Sequence, residues 1–213
     1  MNYKTLSNIL NSTSMLFIYL VWIYIIQYLL SNNFDSSNVL LCLVYSFILL
    51  CSYIYLYRGK LINDFKEFIN KKLLTKAIVM FLLTTMIFLT TYIVVTVSGF
   101  SYTNSIIEEI KIMPIFALFK VLIFAPVVEE IVFRTAFRNV ISQKGLFIAT
   151  SSFVYGILHV IFTNSTISFL ISFLPFLASG VLLASVYVNN ENLFLNILIN
   201  FLCNIEFLIT LAI

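Results

Sequence analysis

Long apolar runs alternate with short polar breaks along this chain, and the breaks come at intervals that suit a lipid bilayer. A helix rises about 1.5 Å per residue, so about 20 apolar residues cross a hydrocarbon core of roughly 30 Å. Seven such runs can be marked off, at residues 13–30, 38–57, 74–97, 114–142, 146–163, 166–188 and 192–212. The fourth carries charges and is the weakest by hydropathy. The pattern predicts an all-α fold, a polytopic membrane helix bundle of about seven transmembrane helices, forming a single transmembrane domain over residues 1–213. The first run follows only Lys4 and ends in Ser31-Asn32-Asn33 without a small-residue cleavage signature, as expected of a retained span rather than a cleaved signal peptide. No internal repeat or low-complexity linker interrupts the series.

Composition leads to the same solvent. Hydrophobic residues make up 62% of the 213 and charged residues 10%, against roughly 45–50% and about 25% in a soluble domain. A soluble fold of this length would have too little polar material to cover its surface. The formal net charge of +3 is spread thinly, which excludes the dense basic face that nucleic-acid binding needs. Cys42, Cys51 and Cys203 lie in apolar runs, where free cysteine acts as a small hydrophobe, so neither a disulfide nor a cysteine metal cluster is expected.

The sparse charges do set a topology. Between the second and third runs, Arg58, Lys60, Lys66, Lys71, Lys72 and Lys76 accompany Leu61, Phe65, Phe68 and Ile69 at helical spacing. This reads as an amphipathic helix lying on the membrane surface, with a plain solvated loop as the alternative. Basic loops face the cytoplasm, so Lys4, this segment and the pair Arg138 and Lys144 place the amino terminus inside and the carboxyl terminus outside a multi-pass protein of the cell membrane. Asp35, Glu108, Glu109 and Lys111 then fall in outer loops.

Ionisable groups inside membrane spans cost about 2.5 kcal/mol or more each, so those present are functional candidates. They are Glu129, Glu130 and Arg134 on the fourth run and the single histidine, His159, on the fifth, joined by the asparagines Asn196, Asn200 and Asn204 on the seventh. Glu130 and His159 both sit roughly 18–20 Å from the cytoplasmic turn near Gly145, and Asn200 and Asn204 roughly 15–21 Å up their own helix. One layer near the bilayer centre is expected to hold them all. Glu130 and Arg134 share a helix face, and their pairing would leave Glu129 to accept a proton. Water activation by Glu129, with His159 and an asparagine amide stabilising the oxyanion, is the chemistry that fits. One histidine supplies a tetrahedral zinc site poorly; no metal or other cofactor is expected, a carboxylate-only zinc site being the alternative.

These residues resemble a known family. Glu129-Glu130-x-x-x-Arg134, preceded by Ala125-Pro126 and with Phe133 before the arginine, is similar to the first signature of the CAAX-protease and bacteriocin-processing membrane proteins. Tyr155-Gly156-Ile157-Leu158-His159 resembles the second, Phe-x-x-x-His, with tyrosine for phenylalanine. Asn200-Phe201-Leu202-Cys203-Asn204 stands where the third, His-x-x-x-Asn, is expected, so an asparagine replaces the second histidine. The resemblance covers residues 114–205 and implies Glu129 as base, Glu130 and Arg134 as its partner acid and arginine, His159 as the family histidine and Asn204 as the terminal asparagine. It implies an intramembrane endopeptidase acting on a small peptide or membrane-protein substrate, in the setting of bacteriocin processing or self-immunity. Asn200 can donate to an oxyanion but carries no proton as imidazole does.

Blander readings stand beside these. A Glu-Glu-x-x-x-Arg string can be a solvated pair at a helix end, His159 a buried histidine, and Asn196 interhelical glue. Glu206 would reach the headgroups; Thr84, Thr85, Thr90, Thr91 and Thr96 would satisfy helix carbonyls or pack between helices. The alternative function is a catalytically degenerate immunity or scaffold protein binding a peptide or membrane partner, favoured by Asn200. A transporter has neither the inverted repeat nor the paired Gly/Pro-broken spans it would need.

Overall fold

The computed structural model describes residues 3–31, 36–69, 71–97, 105–161 and 166–212. They form eight helices and, among the described residues, no strand. These are α1 (Tyr3–Ser31), α2 (Ser36–Phe68), α3 (Lys71–Val97), α4 (Ser105–Ile112), α5 (residues 114–140), α6 (Lys144–Val160), α7 (Thr166–Asn190) and α8 (Leu193–Ala212). Each expected run is the body of one helix, and the short α4 is additional. Asp35 and residues 162–163 of the fifth run lie outside the described residues. The segments Leu6–Leu29, Ser37–Phe68 and Phe173–Asn190 are long and apolar enough to cross a membrane, and Leu73–Ile87, Lys144–Val160 and Leu193–Ile209 are shorter apolar helices. The protein is a helical membrane protein.

The basic stretch after the second run is helical, but it is no separate surface helix. It continues α2 without a break through Gly59 to Phe68, because one glycine costs only about 1 kcal/mol in a long helix. Its 33 residues extend about 50 Å, well beyond a hydrocarbon core of roughly 30 Å.

The chain divides into two compact units, Met1–Ile62 with Asn104–Val140 and Asn63–Thr103 with Ile141–Ile213. In the first, Ser12, Met15, Tyr19 and Ile26 form the buried face of α1, at the spacing of one helical stripe. Ile26 packs with Cys42, Met113 and Phe116. Hydrogen bonds tie α1 to α2, among them Trp22 Nε1 to Ser46 Oγ at 2.9 Å, Tyr53 OH to the Met15 carbonyl at 2.7 Å and Tyr57 OH to Met15 Sδ at 3.4 Å.

In the second unit, Leu73, Ala77, Leu183, Val186, Leu195, Ile199 and Cys203 form a core joining α3, α7 and α8. Glu191, at φ 50°, ends α7 in the left-handed region, the conformation in which helices often stop, here in a residue other than the usual glycine. Asn192 then caps α8, its Oδ1 accepting from Leu195 N at 2.8 Å. The Asp64 carboxylate accepts from Leu193 N at 2.6 Å, and Asn192 Nδ2 donates to the Asp64 carbonyl at 2.9 Å. A negative group thus sits at the positive end of α8, while Phe65 and Phe68 pack on Phe194 with ring centroids 4.9 and 5.1 Å apart.

Helices α6 and α7 approach through small residues, the way membrane helices gain contact where burial from water offers little. A Cβ on Gly156 would lie 2.9 Å from Phe173 Cε2 and 3.2 Å from Leu177 N, and one on Gly180 would lie 3.0 Å from Ser152 Cα. Gly156→Ala is expected to destabilise the protein by about 1–3 kcal/mol, the usual cost of overpacking, read as a lower thermal midpoint in detergent. An unchanged midpoint would mean that the two backbones are not in close contact.

Candidate active site

Helix α5 is irregular where its chemistry lies. Pro126 has no N–H and its ring crowds the carbonyl four residues back, and the helix answers with a wide turn over Lys120–Phe124, in which Ala125 N–H reaches Lys120 O five residues back. A regular turn, Ala125–Glu130, follows, and a second wide turn spans Ile131–Ala136. Wide turns change which way the following side chains point, and they recur at functional sites.

All residues from Val128 to Ala136 are buried. The Glu-Glu-x-x-x-Arg string is therefore not a solvated pair at a helix end. Glu130 Oε2 accepts from Arg134 Nε at 3.1 Å, and neither side chain has exposed surface. Glu129, 6% exposed, turns elsewhere and accepts a hydrogen bond at Oε1 from the Tyr19 hydroxyl of α1 at 3.1 Å. Glu130 thus meets the charged Arg134 side chain, and Glu129 meets the Tyr19 hydroxyl. Tyr19 stands edge-on to Phe133, centroids 5.6 Å apart at 88°, and stacks on Trp22, which lies 4.2 Å from Phe124.

In the second unit, His159 sits near the end of α6. Its Nδ1 lies 2.8 Å from the Tyr155 carbonyl oxygen one turn back. A carbonyl only accepts, so Nδ1 carries the proton, and in the neutral ring the lone pair is on Nε2. The ring lies against Tyr155, centroids 4.2 Å apart, and stacks on Phe176 at 4.4 Å and 27°. Gly156 permits that stack, since it lets α7 come close at this level. On α8, Asn200 is 2% exposed and Asn204 is half-buried one turn further on.

The first three site residues foreseen from sequence, Glu129, Glu130 and Arg134, are thus brought together in the first unit, and His159, Asn200 and Asn204 belong to the second. Asn196 is the interhelical tie expected of it, Nδ2 donating to the Leu183 carbonyl at 2.7 Å. Thr84, Thr85 and Thr90 bond helix carbonyls as expected, but two also reach α8: Thr84 Oγ1 meets Cys203 Sγ at 2.9 Å and Thr85 donates to Glu206 at 2.8 Å. Glu206 is therefore engaged by α3 instead of only reaching outward. Tyr19 was not legible as a site residue. It is one of twelve tyrosines in an aromatic-rich chain, and only its place on the buried stripe of α1 sets it apart.

Comparison with known proteins bears on one part of the chain. Residues 111–205 match the family model described as Type II CAAX prenyl endopeptidase Rce1-like. No curated protein and no solved structure matches. The matched segment holds Glu129, Glu130, Arg134, His159, Asn200 and Asn204, whereas α1, α2 and α3 lie outside it.

Breaking a buried ion pair from one side leaves an uncompensated charge, which costs about 3–5 kcal/mol, while replacing both partners by apolar groups of similar volume is far milder. Arg134→Met is accordingly expected to lower the thermal midpoint sharply, and Glu130→Leu with Arg134→Met together to restore most of it. Equal losses in the single and double variants would mean that the two charges do not interact.

Proposed function

We propose, from the premise that residues 111–205 are Rce1-like and so indicate a membrane protease of the CAAX type, that this protein is an intramembrane endopeptidase in which Glu129 activates water. The observation that carries this reading is that the two adjacent buried carboxylates of α5 meet different groups, Glu130 the Arg134 guanidinium and Glu129 the Tyr19 hydroxyl. A carboxylate bound by a guanidinium is a poor base, and one held by a phenol keeps its charge available for water.

In the reaction, Glu129 takes a proton from water, and the oxygen attacks the scissile carbonyl carbon. The resulting oxyanion is stabilised by His159 and by an amide from Asn200 or Asn204. Collapse breaks the C–N bond, and the proton held by Glu129 passes to the leaving amine. Because Nδ1–H of His159 is directed at the Tyr155 carbonyl, the ring donates to the oxyanion only as imidazolium, through Nε2. The support for giving His159, Asn200 and Asn204 a part in the reaction comes from the sequence, in which they are counted at the same depth along their helices as Glu130 along its own. No metal is required, and the single histidine supports that.

The substrate is a small peptide or membrane protein reaching the site from the lipid or the cytoplasm, and the setting is bacteriocin-type peptide processing or self-immunity in the cell membrane, with the amino terminus inside. A second reading has a specific residue behind it: Asn200 in place of the expected histidine suits a degenerate member that keeps the cavity and binds a peptide or membrane partner.

Purified protein in lipid is expected to cleave membrane-proximal peptides in the presence of a chelator. Glu129→Gln should lower kcat by about 100-fold or more, the contribution of a positioned general base, with the thermal midpoint kept. Cleavage that appears only in Asn200→His would favour the binding reading and overturn the hydrolytic one. His159→Gln should likewise lower kcat by about 100-fold, the usual cost of losing one oxyanion donor, with the thermal midpoint kept, and wild-type turnover in His159→Gln would take the histidine out of the mechanism.

A further inference from the structure

We propose that Tyr19 is a positioning residue of the hydrolytic site: its hydroxyl holds Oε1 of Glu129 in the orientation from which the carboxylate takes the proton of the attacking water. The inference rests on the protease reading above. It extends the site to α1, which lies outside the Rce1-like segment at residues 111–205.

The contact is 3.1 Å long and buried, and Tyr19 is 4% exposed. An ionised carboxylate accepts only, so the phenol must donate. The terminal torsion of a glutamate is broad, and a fixed donor on Oε1 narrows the settings open to the carboxylate plane. The donor is itself fixed. Phe133 stands edge-on against the Tyr19 ring, Trp22 stacks on it at 5.8 Å and 16°, and Trp22 is in turn held by Phe124 and by the 2.9 Å hydrogen bond to Ser46. A chain of packed rings, rooted in α2 through Ser46, therefore sets where the hydroxyl stands.

A base has to be aimed as well as present: the atom that takes the proton must lie within hydrogen-bond reach of the water, and small misplacements reduce the rate strongly. Tyr19 keeps its own proton throughout the cycle. The proton from water moves to Glu129 and then to the leaving amine, and the phenol donates to the carboxyl group at each stage.

Tyr19→Phe removes the hydroxyl and keeps the ring packing. It is expected to lower kcat about 10- to 100-fold, the span of a hydrogen bond to a charged group, with KM within about twofold, as for an interaction that matters in the transition state. The thermal midpoint falls only modestly, as the loss of one buried hydrogen bond requires, and Tyr24→Phe, on the same helix at 69% exposure, leaves both the midpoint and the kinetics unchanged. A readout independent of turnover is the C–O stretch of the Tyr19 phenol, isolated as the infrared difference between wild type and Tyr19→Phe and repeated in the Glu129→Gln background. The band is expected to shift as its acceptor changes from carboxylate to amide. An unshifted band overturns the contact and the proposal with it, whatever the activity. A shifted band with wild-type kinetics in Tyr19→Phe overturns the positioning role alone. A shifted band in a wild-type protein that cleaves no peptide overturns the hydrolytic reading, and with it any part for Tyr19 in that chemistry.

Discussion

A guanidinium with no exposed surface has to find its counter-charge inside the protein, since desolvating an unpaired ion costs several kcal/mol. Arg134 finds it one turn back on its own helix, in Glu130. That pairing governs the surrounding structure in two ways. It needs protein on every side of the helix from Val128 to Ala136, so this stretch is buried all round where a lipid-facing helix would be exposed on one flank. It also assigns unlike roles to adjacent glutamates, because successive residues point about 100° apart around a helix. With Glu130 turned to Arg134, Glu129 is turned toward α1, where Tyr19 meets it.

The backbone of α5 supports this arrangement. A proline within a helix withdraws one donor and crowds a carbonyl, and α5 takes up that disturbance in the wide turn just before Pro126 and opens again directly after Glu130. Both irregular turns flank the carboxylates. In the second unit a different device acts on His159. The absent side chain of Gly156 lets α7 approach α6 until Phe176 lies flat on the imidazole, and the Tyr155 carbonyl holds Nδ1. One face and one edge of the ring are thereby constrained, and the contact at that edge sets the tautomer that any proton chemistry there begins from.

Helix α8 is anchored at its amino end. Asn192 caps it, the Asp64 carboxylate sits over its first N–H, and Phe65 and Phe68 hold Phe194. Asn196, Thr84 and Thr85 add ties along its length to α7 and α3. Asn200 and Asn204 are thus carried on a helix whose register is set by polar contacts, which in an apolar medium discriminate between registers more sharply than lipid-like side chains do. The basic end of α2 serves this anchoring, which is why it continues as helix where surface amphipathicity alone would lay it flat on the membrane.

What the sequence by itself determined is what depends on solvent and on local chain geometry. Apolar runs of bilayer length became helices, because in lipid a backbone must satisfy its own hydrogen bonds, although α1 begins earlier, at Tyr3, and α2 runs on to Phe68, beyond the apolar run of each. The Glu130–Arg134 contact was legible too, since a spacing of four residues brings side chains together on any helix. The cap that Asp64 places on α8, the Thr85–Glu206 bond and the hold of Tyr19 on Glu129 were decided by tertiary structure. Each joins residues distant in sequence or follows from how one helix leans on another. Tyr19 and Glu129 are 110 positions apart, and no periodicity in either helix encodes their meeting: it arises only where the buried stripe of α1 packs against the buried turns of α5.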